Sequence, residues 1–157
     1  MKILFIRHSL AVDRDEFRGH DFERPLNEKG KKRAKKFFEK VKKIYPDIDY
    51  IITSTALRAK QTAEILKNFY PQAVYEETPL LLPGAGLEEL KKVLKNEGVI
   101  AIVGHEPDLS NFIKEIMYAP NLKIKLQKPS LAELEEGVLK SLLQYKQLKA
   151  LDEKNHS

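Results

Sequence analysis

The chain contains no cysteine, and none of its apolar runs is long. Without cysteine it has neither a disulfide framework nor a thiolate metal site, and such a composition fits a reducing cytoplasm. No stretch approaches the roughly 20 apolar residues that a bilayer-spanning helix needs. The apolar run at residues 2–6 is too short for the core of a signal peptide, and Arg7 and His8 interrupt it. We therefore expect a cytoplasmic protein that does not contact a membrane.

The basic residues lack the interleaved aromatic residues with which many proteins stack nucleic-acid bases, so nucleic acid is not an expected partner. The net charge is nevertheless +5, from 28 Lys+Arg against 23 Asp+Glu. Much of this excess lies at residues 29–36, on a predicted exposed helix. Two interpretations of that helix stay open: a solvated face, or a surface that docks an acidic partner protein.

A chain of 157 residues, 42% of them hydrophobic and 32% charged, is typical of one globular domain. Apolar strand-like runs alternate with amphipathic segments, which predicts an α/β domain with a mainly parallel sheet. The predicted strands cover residues 2–6, 50–53, 73–75 and 99–103. The predicted helices run from an N-cap at Asn27 to Pro46, and over residues 59–69, 87–94 and 108–117.

The remaining segments carry weaker patterns. Residues 13–24 and 79–86 are predicted loops, and residues 152–157 a frayed tail. Residues 122–126 and 131–134 alternate in polarity, which is typical of strands. From Val138 onward the leucines recur at helical spacing, which predicts a helix.

Charged and nucleophilic side chains follow three of the predicted strands. Arg7 and His8 end the first, Arg58 follows the second after a short turn, and His105 follows the strand at residues 99–103. Because the carboxyl ends of parallel strands meet at one edge of a sheet, we expect these four side chains to form one pocket. Arginine binds phosphate oxygens with two parallel hydrogen bonds, and neutral imidazole is a nucleophile near pH 7. The pattern therefore predicts a phosphate pocket.

The same residues carry a resemblance to a known family. Arg7-His8-Ser9, residues 54–63 (STALRAKQTA) and residues 104–107 (GHEP) resemble the three signature segments of the histidine phosphatase superfamily. Residues 24–30 (RPLNEKG) resemble that family's lead-in to its first helix. The short length and the spacing are most similar to its compact phosphohistidine phosphatase branch, the SixA type.

The resemblance implies a fold as well as a chemistry. It implies a three-layer sandwich with a mainly parallel central sheet, of the phosphoglycerate mutase-like kind, in which residues 1–157 form one histidine phosphatase domain. After Val138 it implies a strand that pairs back as a hairpin, followed by a short helix near residues 147–151. We follow the resemblance over the leucine spacing there.

Both the residues and the resemblance assign roles in the pocket. His8 is the predicted nucleophile, Arg7 and Arg58 bind the phosphoryl oxygens, and His105 is predicted to be a cation that donates to the transition state. Ser9 stands where the family usually has glycine, and its hydroxyl is predicted to reach the phosphate. Water then attacks the phosphoenzyme and releases inorganic phosphate. No metal or cofactor is expected, because the arginines supply the positive charge.

A proton donor for the leaving group is hard to identify. Family members that cleave phosphate esters keep a glutamate after the third strand, but here residues 78–88 are short and apolar. Glu88 is a weak candidate, and Asp13, Asp21 and Glu106 are no stronger. Phosphohistidine leaves as imidazole, whose reference pKa is about 6.5, so it needs an acid less than an alcohol does. A short loop also predicts a shallow, open pocket, which a phosphohistidine on a folded protein needs.

The sequence therefore predicts a metal-independent phosphohistidine phosphatase with a covalent intermediate on His8. Its partner would be a phosphohistidine-bearing protein such as a phosphotransfer domain. Two alternatives stay open: a small-molecule or aryl phosphomonoesterase of the same superfamily, and a phosphoprotein-binding module without turnover. His20 and His156 are interpreted as loop and tail residues without a role in the chemistry.

Overall fold

A computed structural model describes the backbone of residues 1–155 and the side chains of residues 1–152. The strands are β1 (Lys2–Arg7), β2 (Tyr50–Ser54), β3 (Val74–Thr78), β4 (Val99–Gly104), β5 (Ser130–Glu135) and β6 (Val138–Gln144). The helices are α1 (Glu28–Ile44), α2 (Leu57–Phe69), α3 (Leu87–Val93), α4 (Asp108–Ile116) and α5 (Tyr145–Asn155). Short 3₁₀ turns lie at Arg14–Glu16, Asp21–Glu23 and Pro79–Leu81.

The six strands form one sheet in the order β3-β2-β4-β1-β5-β6. The first four strands of the chain are parallel, whereas β5 pairs antiparallel with both β1 and β6. At the carboxyl end of β1, Arg7 is opposite Gly104 of β4 on one side and Ser130 of β5 on the other. One core cluster packs α1, α2 and α5 on one sheet face, and a second packs α3 and α4 on the other. The predicted three-layer arrangement with a mainly parallel sheet is confirmed.

Helix α1 begins where the sequence predicts. The side chain of Asn27 accepts a hydrogen bond from the amide of Gly30 at 2.7 Å, and the helix ends at Ile44, just before Pro46. Gly30 is needed for a steric reason: a Cβ atom there would lie 2.0 Å from the carbonyl oxygen of Leu10. The chain that leaves β1 therefore passes directly over the first turn of α1.

Residues 122–126 form no regular structure, so the predicted strand there is wrong. Leu126 is buried, and Leu122 and Ile124 pack against the same core cluster beside α4. The intervening Lys123 and Lys125 are exposed. The alternation in polarity therefore matches alternating burial, but the segment pairs with none of the described strands.

The end of the chain forms the hairpin that the resemblance implies, not the helix that the leucine spacing predicts. β5 and β6 pair antiparallel, and α5 follows them, so the helix predicted from Val138 is wrong and the hairpin implied by the resemblance is confirmed. β6 pairs on one side alone, and its leucines alternate between core and solvent. Residues 152–155 belong to α5, not to a frayed tail, and Asp152 forms an ion pair with Lys40. The last two residues of the predicted tail, including His156, lie outside the described residues.

In the part of the chain that the structure describes, no helix is long and apolar enough to cross a membrane.

Candidate active site

Two strand ends place the two predicted histidines next to each other. The amide of His8, directly after β1, donates to the carbonyl oxygen of Gly104 at the end of β4, with an N–O distance of 3.1 Å. His105 is the next residue, and its ring centroid lies 5.2 Å from that of His8. The parallel pairing of β1 with β4 thus brings His8 and His105 together, as the sequence predicts.

The ring of His8 has one orientation and one tautomer. Its Nδ1 lies 2.7 Å from the carbonyl oxygen of Ser9, which can only accept, so Nδ1 carries the proton and Nε2 carries the lone pair. Burial lowers the pKa of His8 well below its usual value, and the charges of Arg58 and Lys128 add to this against the opposing Ser9 hydrogen bond. His8 is therefore neutral at pH 7, with Nε2 available as a nucleophile.

Arg58, in the first turn of α2, is held by Asp21 of the second 3₁₀ turn. Its Nη1 donates to the Asp21 carbonyl oxygen at 2.8 Å, and its Nη2 lies 3.2 Å from Oδ2 of the same residue. The other carboxylate oxygen contacts Arg24 at 3.1 Å and Arg14 at 3.4 Å. Burial alone would raise the pKa of Asp21, but the arginines outweigh it and lower that pKa. Asp21 therefore remains a carboxylate and holds the arginines in position.

Arg7 is anchored in a similar way, through its Nη1, which donates to the carbonyl oxygen of Leu126. Burial lowers its pKa and the charge of Glu106 partly restores it, but a guanidinium stays protonated at neutral pH. Among the described residues, five buried side-chain atoms have no hydrogen-bond partner, and three of them belong to predicted pocket residues: the Nε atoms of Arg7 and Arg58 and the Nδ1 atom of His105. The other two are Arg33 Nε and Ser130 Oγ. Buried polar atoms are nearly always paired, so three unpaired nitrogens at one site indicate an anion site.

The surroundings of His105 favour a neutral ring before an anion binds, and its role as a cation towards the transition state stays a prediction. Burial, and then the charge of Arg58, lower the pKa of His105 to about 3. Its Nε2 lies 2.9 Å from the Ser54 hydroxyl, which also accepts from the amide of Ala56 at 3.1 Å. When the Ser54 hydroxyl donates to Nε2, the proton of the neutral ring is on Nδ1, the atom without a partner. His105 thus keeps one donor as a neutral ring.

Comparisons with known proteins show which family the chain belongs to. A family model described as the histidine phosphatase superfamily (branch 1) matches residues 3–80. An uncharacterized protein of Picosynechococcus sp. is 32% identical over 143 residues, which cover 87% of this chain and 86% of that protein. The chain belongs to the histidine phosphatase superfamily.

Solved structures share the fold of this histidine phosphatase superfamily member. The protein histidine phosphatase SixA, in complex with tungstate, superimposes with a TM-score of 0.81 at 20% identity, over 94% of this chain and 99% of that one. A phosphoglycerate mutase of Plasmodium falciparum gives a TM-score of 0.62 at 18% identity, over 89% and 88%. At such identities these likenesses establish the fold alone, which is that of the compact phosphoglycerate mutase-like proteins.

Ser9 does not have the substrate-binding role predicted for it. Its hydroxyl donates to the carbonyl oxygen of Gly30 at 2.7 Å, its amide donates to the Thr62 hydroxyl at 3.1 Å, and the side chain is fully buried. Its φ angle is not in the left-handed region, so the backbone does not need the glycine that is usual in this superfamily. Through these two hydrogen bonds, Ser9 instead connects the segment that follows His8 to α1 and α2.

Glu88 lies outside the pocket, so the weak prediction of a proton donor there is wrong. Its side chain is 81% exposed on α3 and lies 3.5 Å from the ammonium of Lys91. Helix-start positions favour acidic side chains irrespective of catalysis, which explains the misleading signal. Glu106 is nearer the site, but both of its carboxylate oxygens accept from Ser110, one from its amide and one from its hydroxyl.

His20 has the loop role that the sequence predicts. It is exposed, and its Nδ1 accepts from the amide of Phe22 at 3.1 Å, which caps the second 3₁₀ turn.

Several site residues were missed from sequence. Ser54 lies within the second signature segment and Arg24 begins the lead-in segment, so both were within motifs already recognised. Asp21 lies in a polar loop without periodicity, and no pattern separates it from its acidic neighbours. Lys128 precedes Pro129 and lies near enough to His8 to lower its pKa, but an isolated lysine carries no sequence signal.

Proposed function

We propose that this protein is a metal-independent phosphohistidine phosphatase that hydrolyses phosphohistidine on proteins through a covalent intermediate on His8. The observation that supports this most is the set of three unpaired buried nitrogens, on Arg7, Arg58 and His105, beside a histidine whose Nε2 is available for attack. A phosphoryl group has three equatorial oxygens, and charge develops on them during transfer. Three fixed donors match that demand.

In the first step, the Nε2 lone pair of His8 attacks the phosphorus atom of the substrate. The P–N bond to the substrate imidazole breaks, and the electron pair leaves with that imidazole. Arg7, Arg58 and His105 donate to the equatorial oxygens. The carbonyl of Ser9 accepts from Nδ1–H, and so stabilises the positive charge that the His8 ring gains.

In the second step, water attacks the phosphorus atom of phospho-His8. The P–Nε2 bond breaks, its electron pair returns to His8, and the proton of the water leaves with the phosphate product. The same three donors act again. Overall, one water is consumed and one inorganic phosphate is released.

The carboxyl groups near the pocket support phosphohistidine as the substrate. The Asp21 pKa is lowered, the oxygens of Glu106 are occupied by Ser110, and Glu88 faces solvent. Asp21 is therefore ionised, and neither glutamate is placed to assist an alkoxide leaving group. Imidazole with a reference pKa of about 6.5 leaves without such help once its second nitrogen is protonated by solvent.

A small-molecule or aryl phosphomonoesterase is the second candidate, because a phenolate also leaves without a strong acid. A binding module without turnover is the third, and the orientation of His8 argues against it. Arginines suffice to bind phosphate, whereas a neutral histidine with one defined tautomer matters only for attack.

The test compares a phosphohistidine-bearing protein with an aryl phosphate, in the presence of a metal chelator. We expect wild-type enzyme to favour the phosphohistidine protein, His8→Ala to be inactive on both, and Glu88→Gln, at an exposed position on α3, to behave as wild type. Tungstate should inhibit as a phosphate analogue. Preference for the aryl phosphate would favour the second candidate, and turnover of neither substrate would favour the third.

A further inference from the structure

A basic groove leads out of the active site at Arg7. Its inner part has a volume of about 420 Å³ and is lined by six cations: Arg7, Arg33, Lys125, Lys128, Lys146 and Lys149. Its outer part, of about 340 Å³, adds Lys29, Lys32 and Lys36 of α1. The two parts share Arg33, Tyr145 and Lys149 in their walls, so they adjoin each other.

The groove has no acidic lining anywhere in the part of the chain that the structure describes. Elsewhere exposed lysines meet carboxylates, as Lys31 meets Glu28 and Lys140 meets Glu135. Burial, and then the charges of Arg7, Arg24, Arg58 and Arg14, lower the pKa of Lys128, so the inner end of the groove lies in the field of the arginines of the candidate active site. Like charges that lie close together repel one another, and an anionic ligand reduces that repulsion.

The walls of the groove are fixed before any ligand arrives. Tyr145 is buried, and the Arg33 guanidinium lies 4.6 Å from its ring centroid, which holds that cation in place. The side chain of Gln144 accepts from the amide of Gln127 at 2.9 Å and donates to the carbonyl of Lys125 at 2.6 Å. The segment that carries Lys125 and Lys128 is therefore tied to the end of β6.

We infer that this groove binds an acidic segment of the phosphoprotein, next to the phosphohistidine in the catalytic pocket. This inference rests on the proposed function and specifies the substrate class. Two adjoining cavities extend beyond what a single small metabolite fills, whereas carboxylates spaced along a peptide would meet successive lysines. Tyr145 lies under Arg33, so it offers no open face on which a nucleic-acid base stacks.

The groove also refines the docking surface predicted at residues 29–36. Lys29, Lys32 and Lys36 line it, at a spacing that places them on one helix face, whereas Lys31 and Lys35 do not. Lys35 can therefore serve as a control for Lys36, because both are exposed but only Lys36 lines the groove. Lys125 and Lys123 form a second pair of the same kind.

The test uses two phosphohistidine peptides of equal length, one flanked by Asp and Glu and the other by Asn and Gln, together with an aryl phosphate. The groove variant is the double charge reversal Lys36→Glu/Lys125→Glu, and the control is Lys35→Glu/Lys123→Glu, which has the same net charge. We expect the groove variant to lose roughly tenfold or more in kcat/KM on the acidic peptide, mainly through KM. Its activity on the aryl phosphate and the activity of the control variant should stay within about twofold of wild type.

The outcomes separate the groove from the chemistry. If wild type cleaves both peptides equally well, or if the control variant loses as much as the groove variant, the groove is not a docking site and the proposed function stands. Loss of aryl phosphatase activity in the groove variant would also overturn docking, because the effect would then be on the catalytic centre. If neither peptide is cleaved while the aryl phosphate is, the groove inference and the proposed function are both wrong. Salt gives a second measurement on wild type: rising ionic strength should weaken the preference for the acidic peptide.

Discussion

Both terminal nitrogens of Arg58 donate to Asp21, one to its backbone carbonyl and one to its carboxylate. Asp21 therefore fixes the position of the arginine that is proposed to bind phosphate, and the Nε atom of that arginine has no hydrogen-bond partner. The carboxylate has no proton to give, and its part is to fix the position of Arg58. A phosphate pocket in this protein thus depends on an acidic residue that never touches phosphate.

Asp21→Asn should lower kcat on an aryl phosphate by roughly tenfold, a loss of about 1.4 kcal/mol in transition-state stabilisation. The substitution keeps the size of the side chain and the backbone carbonyl bond, but it removes the charge that orients Arg58. Steady-state kinetics measure the effect. Asp13→Asn, at an exposed loop position, serves as the control, and an unchanged kcat for Asp21→Asn would exclude the positioning role.

The pH dependence of kcat/KM should show an acid limb below pH 6.5, the reference pKa of histidine. Burial and neighbouring positive charges lower the pKa of His8, and attack requires the neutral ring. Activity is therefore present above the lowered pKa and is lost as pH falls through it. The measurement is a profile of kcat/KM at constant ionic strength, corrected for the titration of the substrate phosphate. An acid limb at or above pH 6.5 would contradict a buried, neutral His8.

Ser54→Ala should reduce kcat and lower stability by about 1 kcal/mol. The substitution removes the hydroxyl that fixes the tautomer of His105 and accepts from the Ala56 amide. Denaturant unfolding measures the stability. A double-mutant cycle with His105→Ala separates the two effects: if Ser54 acts through His105, its loss should matter much less once His105 is absent. Additive losses in kcat would contradict this.

Gly30→Ala should destabilise the protein by roughly 1–3 kcal/mol and reduce activity. A Cβ atom at position 30 would overlap the backbone of Leu10, which follows the nucleophile loop. Gly86→Ala is the matched control, because a Cβ there meets a side-chain oxygen of Glu89 at an ordinary 3.5 Å. Thermal or denaturant unfolding compares the two variants, and equal stability would disprove the close approach.

Ser9→Ala should keep kcat and KM within about twofold of wild type while lowering the free energy of unfolding by about 1–2 kcal/mol. The variant leaves the buried carbonyl of Gly30 without the hydroxyl that donates to it. A large rise in KM, with little change in stability, would restore the substrate-binding role that the structure argues against.

The proximity of the proposed catalytic residues was predictable, because each is close in sequence to a pattern that is itself reliable. Arg7, His8 and His105 directly follow buried apolar strands, and parallel strands end at one edge of a sheet. The charge state of His105 was not predictable, since it depends on burial and on Arg58, which comes from a distant part of the chain. Ser9 was wrongly assigned for a related reason: its hydrogen-bond partner, Gly30, comes close only after α1 packs under the loop.

The position of β1 in the sheet has a consequence for how such a protein diversifies. β1 has the parallel strands on one side and the hairpin on the other, and Arg7 at its end belongs to both the catalytic pocket and the basic groove. Arg58 and His105 come from the parallel side. Of the groove lysines, Lys125, Lys128 and Lys146 come from the segments around the hairpin, and Lys29, Lys32 and Lys36 come from α1. Under the proposed function, charge changes at exposed groove lysines such as Lys125 and Lys146 would therefore change which phosphoprotein is preferred without altering the catalytic centre. In this architecture, the residues proposed to set the substrate range are thus largely distinct from those proposed to carry out the reaction.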